Sequence, residues 1–235
     1  MFIIIGIDAL EKKLVEKFNC SHLKQKYYGQ TNIKEYRQPR TLVLWSSFLA
    51  GKNLEKKIVA LGNKKMWNFK LKKSETFFAD PKKTKAIDVP GYTYNKKQHR
   101  DERQMLRDFF EQKISIEEFD RPIFTHFRKI KKQFINDLKK DYDILMAYFD
   151  IADVIGHLSF GNTIKMKMIY KNLDEIAGIA SKKAQKMLVI SDHGMKSIGK
   201  FGDHDEKHGF WSTNFKIALK NPKITDFAKI ITKNS

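Results

Sequence analysis

The chain has 235 residues, of which 41% are hydrophobic and 31% charged, a composition typical of a soluble globular protein rather than a disordered or fibrous one. No apolar run approaches the length of a membrane span, and the opening MFIIIGIDAL lacks the basic start and cleavage site of a signal peptide. The single cysteine, Cys20, cannot form an internal disulfide, which favours a reducing environment. We therefore expect a cytoplasmic protein with no membrane partner.

The formal net charge is +19, from 46 Lys and Arg against 27 Asp and Glu. A charge of this size attracts polyanions, so nucleic acid is a candidate partner. Most of the basic residues are lysines spread along the chain, whereas bidentate phosphate recognition usually relies on arginine. Lysine enrichment can also reflect a low-GC or heat-adapted genome. The charge by itself therefore favours compositional background over a dedicated nucleic-acid surface.

The first half of the chain begins with a continuous apolar, β-branched run over 2–7, which predicts a strand buried on both faces. Residues 41–50 (TLVLWSSFLA) begin with a capping-type residue and stop at a glycine, which predicts a short buried helix. Residues 52–84 are lysine-rich and poorly periodic, so we expect surface loops there. A strand over 85–89 follows, ended by a Pro-Gly pair.

The second half alternates between helical and strand patterns. Ser115 and Glu118 form a capping box at the start of a helix predicted over 115–140. Further helices are predicted over 101–113, 163–185 and 224–231, and strands over 144–149, 187–190 and 215–219. This alternation predicts an α/β fold, a three-layer sandwich around a largely parallel sheet. We expect a single domain over 1–235, with a basic insertion at roughly 52–140.

Acidic residues and histidines follow three of the predicted strands. Asp8 follows the first strand, Asp150 and Asp153 follow the strand at 144–149, and the pair Asp192-His193 follows a later one. In open α/β sheets, ligands gather outside the carboxyl ends of the strands, so these side chains should converge on one pocket. Mixed Asp and His ligands suit zinc or a similar transition metal.

Each of these residues has a simpler interpretation when it is taken alone. An aspartate after a strand is more often a turn or helix cap, and a single histidine is more often a satisfied surface or core residue. Thr41 alone reads as a helix N-cap. The joint pattern is what favours a functional site.

Five short segments occur in the chain between residues 3 and 210: IIIGIDA, RTLVLWSSFLAG, DVIGH, ISDHGM and KHGF. Together and in this order they resemble the alkaline phosphatase superfamily, specifically its type I phosphodiesterase/nucleotide pyrophosphatase branch. The resemblance implies an alkaline phosphatase-like fold. The chain is short for that family, so the cap insertion should be reduced.

The resemblance also implies a catalytic threonine and two divalent metal ions, zinc by preference and manganese as the alternative. Thr41 stands ten residues before Gly51, the spacing that the family uses between its nucleophile and the glycine ending the next helix. By that match, one metal would be held by Asp8, Thr41, Asp192 and His193, and the other by Asp153, His157 and His208.

Two of these ligand assignments have rivals nearby in the sequence. Asp150 competes with Asp153, and His204 competes with His208. We favour Asp153 because it belongs to the DVIGH segment, and His208 because Gly209 follows it. We therefore expect Asp153 and His208 to be the ligands.

The stretch after the helix departs from the family pattern. Where relatives have a proline and a His-Gly pair, this chain has KNLEKKIVALGN, which places Asn63 near the position of a phosphate-contacting asparagine. The resemblance as a whole implies a metal-dependent phosphodiesterase or nucleotide pyrophosphatase that acts through a covalent Thr41 intermediate. Its substrate would be a small anionic phosphate ester or nucleotide.

Several alternatives differ in how they explain the same residues. A phosphomonoesterase would use the same site, and a basic nucleic-acid-binding protein would use the hydrolase fold without its chemistry. A phosphoglycerate mutase-like transferase is disfavoured because such proteins usually have serine at the nucleophile position. A sulfatase is disfavoured because no C/S-x-P-S-R segment surrounds Thr41.

Overall fold

The structure, a computed structural model, describes residues 1–234. Within them a six-stranded sheet has the order β2-β8-β5-β1-β4-β3, and a separate hairpin pairs β6 with β7. The strands are β1 (Phe2–Ile7), β2 (Tyr27–Asn32), β3 (Thr84–Ile87), β4 (Ile144–Phe149), β5 (Lys186–Ile190), β6 (Gly194–Ile198), β7 (Phe201–Asp205) and β8 (His208–Thr213). β1, β3, β4 and β5 run parallel, whereas β8 is antiparallel to both β5 and β2.

Helices cover both faces of the six-stranded sheet, with α1, α2, α7, α8 and α9 on one face and α3, α4 and α10 on the other. The helices are α1 (Lys12–Lys17), α2 (Ser21–Lys24), α3 (Thr41–Ala50), α4 (Glu55–Val59), α5 (Gly62–Lys65), α6 (Lys96–Phe110), α7 (Ile116–Asp137), α8 (Ile151–Ser159), α9 (Thr163–Ser181) and α10 (Asp226–Asn234). Short 3-10 turns lie at Met66–Asn68 and Lys73–Glu75. Among the described residues, no helix combines the length and apolar character needed to cross a membrane.

The central strand β1 supplies both hydrophobic cores. Ile3, Ile5 and Ile7 point into the core beneath α7, α8 and α9, while Phe2 and Ile4 point into the core beneath α3 and α10. Successive side chains of a strand alternate between faces, so a strand buried on both sides needs an unbroken apolar run. This is the pattern that the sequence shows.

The parallel strands β1, β4 and β5 end level with one another. Ile7 of β1 lies beside Phe149 of β4, and Gly6 lies beside Ile190 of β5. The chain therefore delivers the acidic residues that follow each strand to a single edge of the sheet, which is where an open α/β sheet forms its ligand site.

The predicted three-layer α/β sandwich is confirmed, and several elements have the predicted bounds. The strands over 2–7 and 144–149 and the helix over 41–50 match residue for residue. The capping box at the start of α7 is also confirmed, because Ser115 and Glu118 each accept a hydrogen bond from the other's backbone N–H. These segments were predictable since each is long, strongly patterned or bounded by a clear cap.

The strand predicted over 215–219 is wrong. β8 lies earlier in the chain and occupies the position beside β5, while its other edge is paired with β2. No edge remains there for a further strand, and Phe215 and Ile217 instead pack against the core beneath α3. The short strands β2, β6 and β7 were not predicted because their residues are polar or glycine-containing.

The basic range 52–140 contributes to both the sheet and its covering layer. β3 forms the sheet edge beside β4, and α7 packs on the sheet through buried residues that include Phe119, Ile123 and Phe134. The part from α4 to the second 3-10 turn lies largely at the surface as expected, but it is not only loops, because it contains the short helices α4 and α5.

Gly209 allows β8 to approach the end of β5. A Cβ atom at this position would collide with the backbone oxygen of Ser191 and lie 2.8 Å from that of Asp192. Because backbone atoms cannot move aside, we expect Gly209→Ala to lower the free energy of unfolding by about 2–3 kcal/mol, measured by denaturant titration. Gly199→Ala, in open space at φ +60°, is the control and should cost about 1 kcal/mol. Equal losses in the two variants would contradict this close-approach role.

Candidate metal centre and active-site pocket

The first group of candidate ligands lies at the ends of β1 and β5. Asp8 follows β1 directly, and Asp192 and His193 follow β5, with all three side chains buried. The His193 Nε2 atom lies 3.2 Å from Asp8 Oδ1 and 3.6 Å from Asp192 Oδ2. The structure thus brings together three of the four residues expected at one metal.

The orientation of His193 is fixed from its other ring nitrogen. His193 Nδ1 lies 3.0 Å from the backbone oxygen of Gly194, so it carries the proton and donates it there. This arrangement leaves Nε2 directed at the two carboxylates, as in metal sites where a backbone or carboxylate acceptor holds the far side of a histidine ligand. His193 Nε2, Asp8 Oδ1 and both carboxylate oxygens of Asp192 have no hydrogen-bond partner among the described residues.

The second group of candidate ligands lies on helix α8 and strand β7. Asp153 and His157 are one turn apart on α8, with Asp153 Oδ2 3.5 Å from His157 Nε2. His204 of β7 completes the group, since its Nε2 atom lies 3.2 Å from Asp153 Oδ1 and 3.1 Å from His157 Nε2. Two ring nitrogens so close to each other need a cation or a shared proton between them.

His157 is held in the same manner as His193. Its Nδ1 atom lies 3.2 Å from the backbone oxygen of Gly202, which leaves Nε2 directed at Asp153. The Asp153 carboxylate raises the pKa of His157 to about 9. Burial alone would raise the pKa of Asp153, but the charges of His157 and His204 hold it well below its usual range.

Asp153 joins the two groups into one centre. Its carboxylate lies close enough to share an ion with Asp8 and His193 on one side and with His157 and His204 on the other. Burial raises the pKa of Asp192 well above its usual value, and the nearby negative charge of Asp8 raises it further. A buried set of carboxylates and imidazoles with unpaired atoms fits divalent metal ions, zinc in particular.

The structure does not bring His208 to this centre. Its Nδ1 atom lies 3.8 Å from Asp205 Oδ2 at the surface, and His204 occupies the place beside Asp153. The sequence favoured His208 because Gly209 follows it, but Gly209 is needed for the close approach of β8 to the end of β5. Asp150 lies outside both groups as well, in a separate buried cluster.

Thr41 is the first residue of α3 and lines the same cavity as Asp8 and Asp153. Arg40, not Thr41, holds the N-cap position, and its side chain makes no capping hydrogen bond. The helix-cap explanation of Thr41 therefore does not apply. Thr41 thus lies at the start of α3, where the first amides have no intrahelical acceptor, which favours an anion nearby.

Three arginines line the cavity together with five acidic residues, Asp8, Glu102, Asp150, Asp153 and Glu206. The cavity has a volume of about 480 Å³ and is lined by Arg37 and Arg40 before α3 and by Arg103 of α6, but by no lysine of residues 1–234. Asn63 is exposed and accepts a hydrogen bond from Arg40 at 2.8 Å without lining the cavity. These three arginines did not stand out in the sequence, because lysines make up most of its basic residues.

One wall of the cavity is apolar and aromatic. It is formed by Trp67, Tyr94 and Leu106. The guanidinium of Arg103 lies 3.8 Å from the centre of the Trp67 ring, a cation–π contact that fixes both side chains. The cavity thus combines arginines and buried Asp and His side chains with an aromatic surface.

The sheet order and the ligand-bearing strand ends define an alkaline phosphatase-like α/β fold. Within that class the chain belongs to the type I phosphodiesterase/nucleotide pyrophosphatase family, whose model matches residues 2–216. No curated protein matches the chain.

Two solved structures show the same fold at low sequence identity. Murine ectonucleotide pyrophosphatase/phosphodiesterase 5 has a TM-score of 0.51 and 14% identity, and the match covers 85% of this chain but 58% of that one. The same murine protein is also known as an inactive threonine-to-alanine variant in complex with AMP. The PH0037 protein from Pyrococcus horikoshii has a TM-score of 0.55 and 12% identity, with 100% and 97% of the two chains covered.

Removing the His204 side chain and removing the His208 side chain should have different effects on zinc affinity. His204→Ala removes a side chain that contacts both Asp153 and His157, so zinc affinity should fall by more than the roughly 10–100-fold typical of an outer partner. His208→Ala is the matched control and should leave zinc affinity unchanged. Competition with a chromophoric chelator measures both. A larger loss in His208→Ala would show that the sequence-based choice of His208 is correct.

Proposed function

We propose that the protein is a metal-dependent phosphodiesterase or nucleotide pyrophosphatase with Thr41 as its nucleophile. The observation that carries the proposal is the position of Asp153, which joins two groups of buried ligands beside the cavity that Thr41 lines. We assign Asp8, Asp192 and His193 to one ion, with Thr41 as a further ligand. We assign Asp153, His157 and His204 to the other, in which His204 replaces the His208 expected from the sequence.

Different residues of the cavity would bind the substrate and attack its phosphorus. Arg37 and Arg40 would bind the substrate phosphate, together with the free amides at the start of α3. The deprotonated Thr41 oxygen would attack phosphorus, the ester oxygen would leave, and water would later hydrolyse the Thr41 phosphoester. Two divalent ions at the centre would favour the ionised hydroxyl and stabilise charge on the attacking and leaving oxygens.

The aromatic wall supports a substrate with a second ester or anhydride group. A phosphomonoester presents only its leaving group to the cavity, whereas a diester or nucleotide presents a further organic group. Trp67 and Tyr94 offer flat surfaces on which a nucleobase can stack, and the cavity has room for a small ligand. AMP binding by the murine structural neighbour agrees with a nucleotide substrate.

Nucleic acid is a second candidate partner because the net charge is +19. Lys85, Lys129, Lys132 and Lys140 surround a shallow groove formed by β3 and α7, away from the cavity. That grouping supports binding of a polyanion at a second surface. The arginines of the cavity support the hydrolase as the primary function.

Activity against a panel of p-nitrophenyl esters tests the proposed reaction. With zinc or manganese present, the protein should hydrolyse bis(p-nitrophenyl) phosphate faster than p-nitrophenyl phosphate, because the aromatic wall accepts the second ester group. EDTA should abolish the activity and added zinc should restore it. Activity that survives chelation would exclude metal dependence, and faster monoester hydrolysis would favour a phosphomonoesterase.

Thr41→Ala should lower kcat for the diester by about 10³-fold or more, since a positioned nucleophile is lost. Thr41→Ser keeps the hydroxyl and should retain appreciable activity. Because Thr41 does not cap α3, the alanine variant should change the free energy of unfolding by less than about 1 kcal/mol. Steady-state kinetics and denaturant titration measure the two effects. A folded, fully active Thr41→Ala protein would rule out Thr41 as the nucleophile.

A further inference from the structure

A second buried cluster of histidines and carboxylates lies beside the cavity, outside the centre assigned above. Four elements contribute to it: the residue after β3, helices α6 and α7, and the residue after β4. No more than 7% of any member is exposed to solvent. Its members are Asp88, His99, Glu102, His126 and Asp150.

Helix α6 is folded around this cluster. His99 and Glu102 are its only fully buried residues, although the rest of the helix is strongly polar. They lie three positions apart, so they share one face of the helix. A histidine and a glutamate that are buried more deeply than the apolar residues of their own helix need a specific partner, since burying unpaired charge is costly.

The Nδ1 atoms of both histidines converge on the same carboxylates. His99 Nδ1 lies 2.8 Å from Glu102 Oε2 and 3.1 Å from Asp150 Oδ2. His126 Nδ1 lies 2.9 Å from Glu102 Oε1 and 3.8 Å from Asp150 Oδ2. Four ligands at about 2.0–2.2 Å from a tetrahedral zinc ion lie roughly 3.3–3.6 Å from one another, a spacing that falls within the observed range of 2.8–3.8 Å.

Protons alone do not satisfy this arrangement. The N–H at His99 Nδ1 points in one direction, so it cannot donate well-aligned hydrogen bonds to both Glu102 and Asp150. Glu102 Oε2 and Asp150 Oδ2 accordingly have no hydrogen-bond partner among the described residues, although both are buried. A cation at the centre would contact all four side chains at once.

Asp88 holds both histidines from the opposite side. Its Oδ2 atom lies 3.0 Å from His99 Nε2 and 2.9 Å from His126 Nε2. Its Oδ1 atom accepts the backbone N–H of Asn95, and Tyr94 stacks on the His99 ring with 3.7 Å between ring centres. A carboxylate that accepts the far N–H of histidine ligands is the usual support of a metal site, because it fixes the tautomer with Nδ1 free.

From this geometry we propose that His99, Glu102, His126 and Asp150 form a third metal site, which binds a first-row transition-metal dication such as zinc. The donor set of two imidazoles and two carboxylates suits zinc and disfavours magnesium, which prefers oxygen ligands and retained water. Asp88 supports the site without binding the ion. This ion is separate from the two of the proposed function.

The competing explanation is a metal-free ion-pair network with both histidines protonated. Two imidazolium groups and one divalent ion with neutral histidines carry the same total charge, so charge balance does not distinguish them. The orientation of the two histidine rings favours the metal ion, because both Nδ1 atoms face the same pair of carboxylates and both Nε2 atoms face Asp88. Two independent ion pairs have no need of a common centre.

A bound ion would fix one wall of the cavity. Glu102 and Arg103 are neighbours on α6, and Arg103 stacks on Trp67. The site would therefore tie α6 to α7 and to the end of β4, which keeps Arg103 and Trp67 in place. Its loss should raise KM for a diester more than it lowers kcat.

Metal content separates the third site from the other two. After saturation with zinc and removal of excess, elemental analysis of the wild-type protein should give three ions per chain. The double variant Asp153→Asn/His193→Ala removes ligands of the proposed two-metal centre and should keep one ion, even if the protein is not a phosphodiesterase. Two ions in the saturated wild-type protein, or none in the double variant, would overturn the third site.

Single variants locate the ion within the cluster. His126→Gln should lower the content from three ions to two and lower the melting temperature measured with zinc. Asp88→Asn keeps all four ligands and should weaken the third ion by about 10–100-fold. His22→Gln is the control, because His22 is exposed and outside every cluster of potential ligands, and it should keep three ions. Three ions retained in folded His126→Gln would place the third ion elsewhere and overturn the assignment.

Discussion

Three aspartates are buried together where the central parallel strands end. Because β1, β4 and β5 end level, Asp8, Asp153 and Asp192 lie in one interior region, and several of their oxygens have no hydrogen-bond partner among the described residues. Burying one unpaired carboxylate is costly, and burying three together is costlier because they repel one another. His157, His193 and His204 offset part of this cost, and the remaining unpaired atoms are what the proposed cations would bind.

The chemistry and the substrate surface come from different parts of the fold. The proposed ligands lie on or directly after strands and on α8, where strand pairing and tight packing fix their positions. The arginines and the aromatic wall come from the segment before α3, from a 3-10 turn and from α6. Because the second set lies on surface elements, its sequence can change without disturbing the ligands.

The sequence predicted the parts of the site that local patterns determine. Asp8, Asp153 and Asp192 follow apolar runs, and parallel pairing brings such positions together wherever the intervening chain goes. The histidine that lies beside Asp153 depends instead on how the β6–β7 hairpin crosses α8, which no local pattern encodes, so the sequence favoured His208 and the structure places His204 there. His99 and Glu102 were missed because the predicted helix began at residue 101, which separated the histidine from its partner on the same helical face. The isolated His126 gave no signal of its own.

The glycine of the DVIGH segment shows how packing and ligand geometry are linked. A Cβ at Gly156 would lie 2.8 Å from Met195 Cε on β6, and a Cβ at Gly202 on β7 would lie 2.7 Å from the backbone oxygen of Gly156. These two facing glycines let the hairpin lie directly against α8. The same approach gives His157 its backbone acceptor at Gly202 and brings His204, two residues further on, within 3.1 Å of His157. The motif's glycine thus positions a proposed ligand, His204, that the motif itself does not contain.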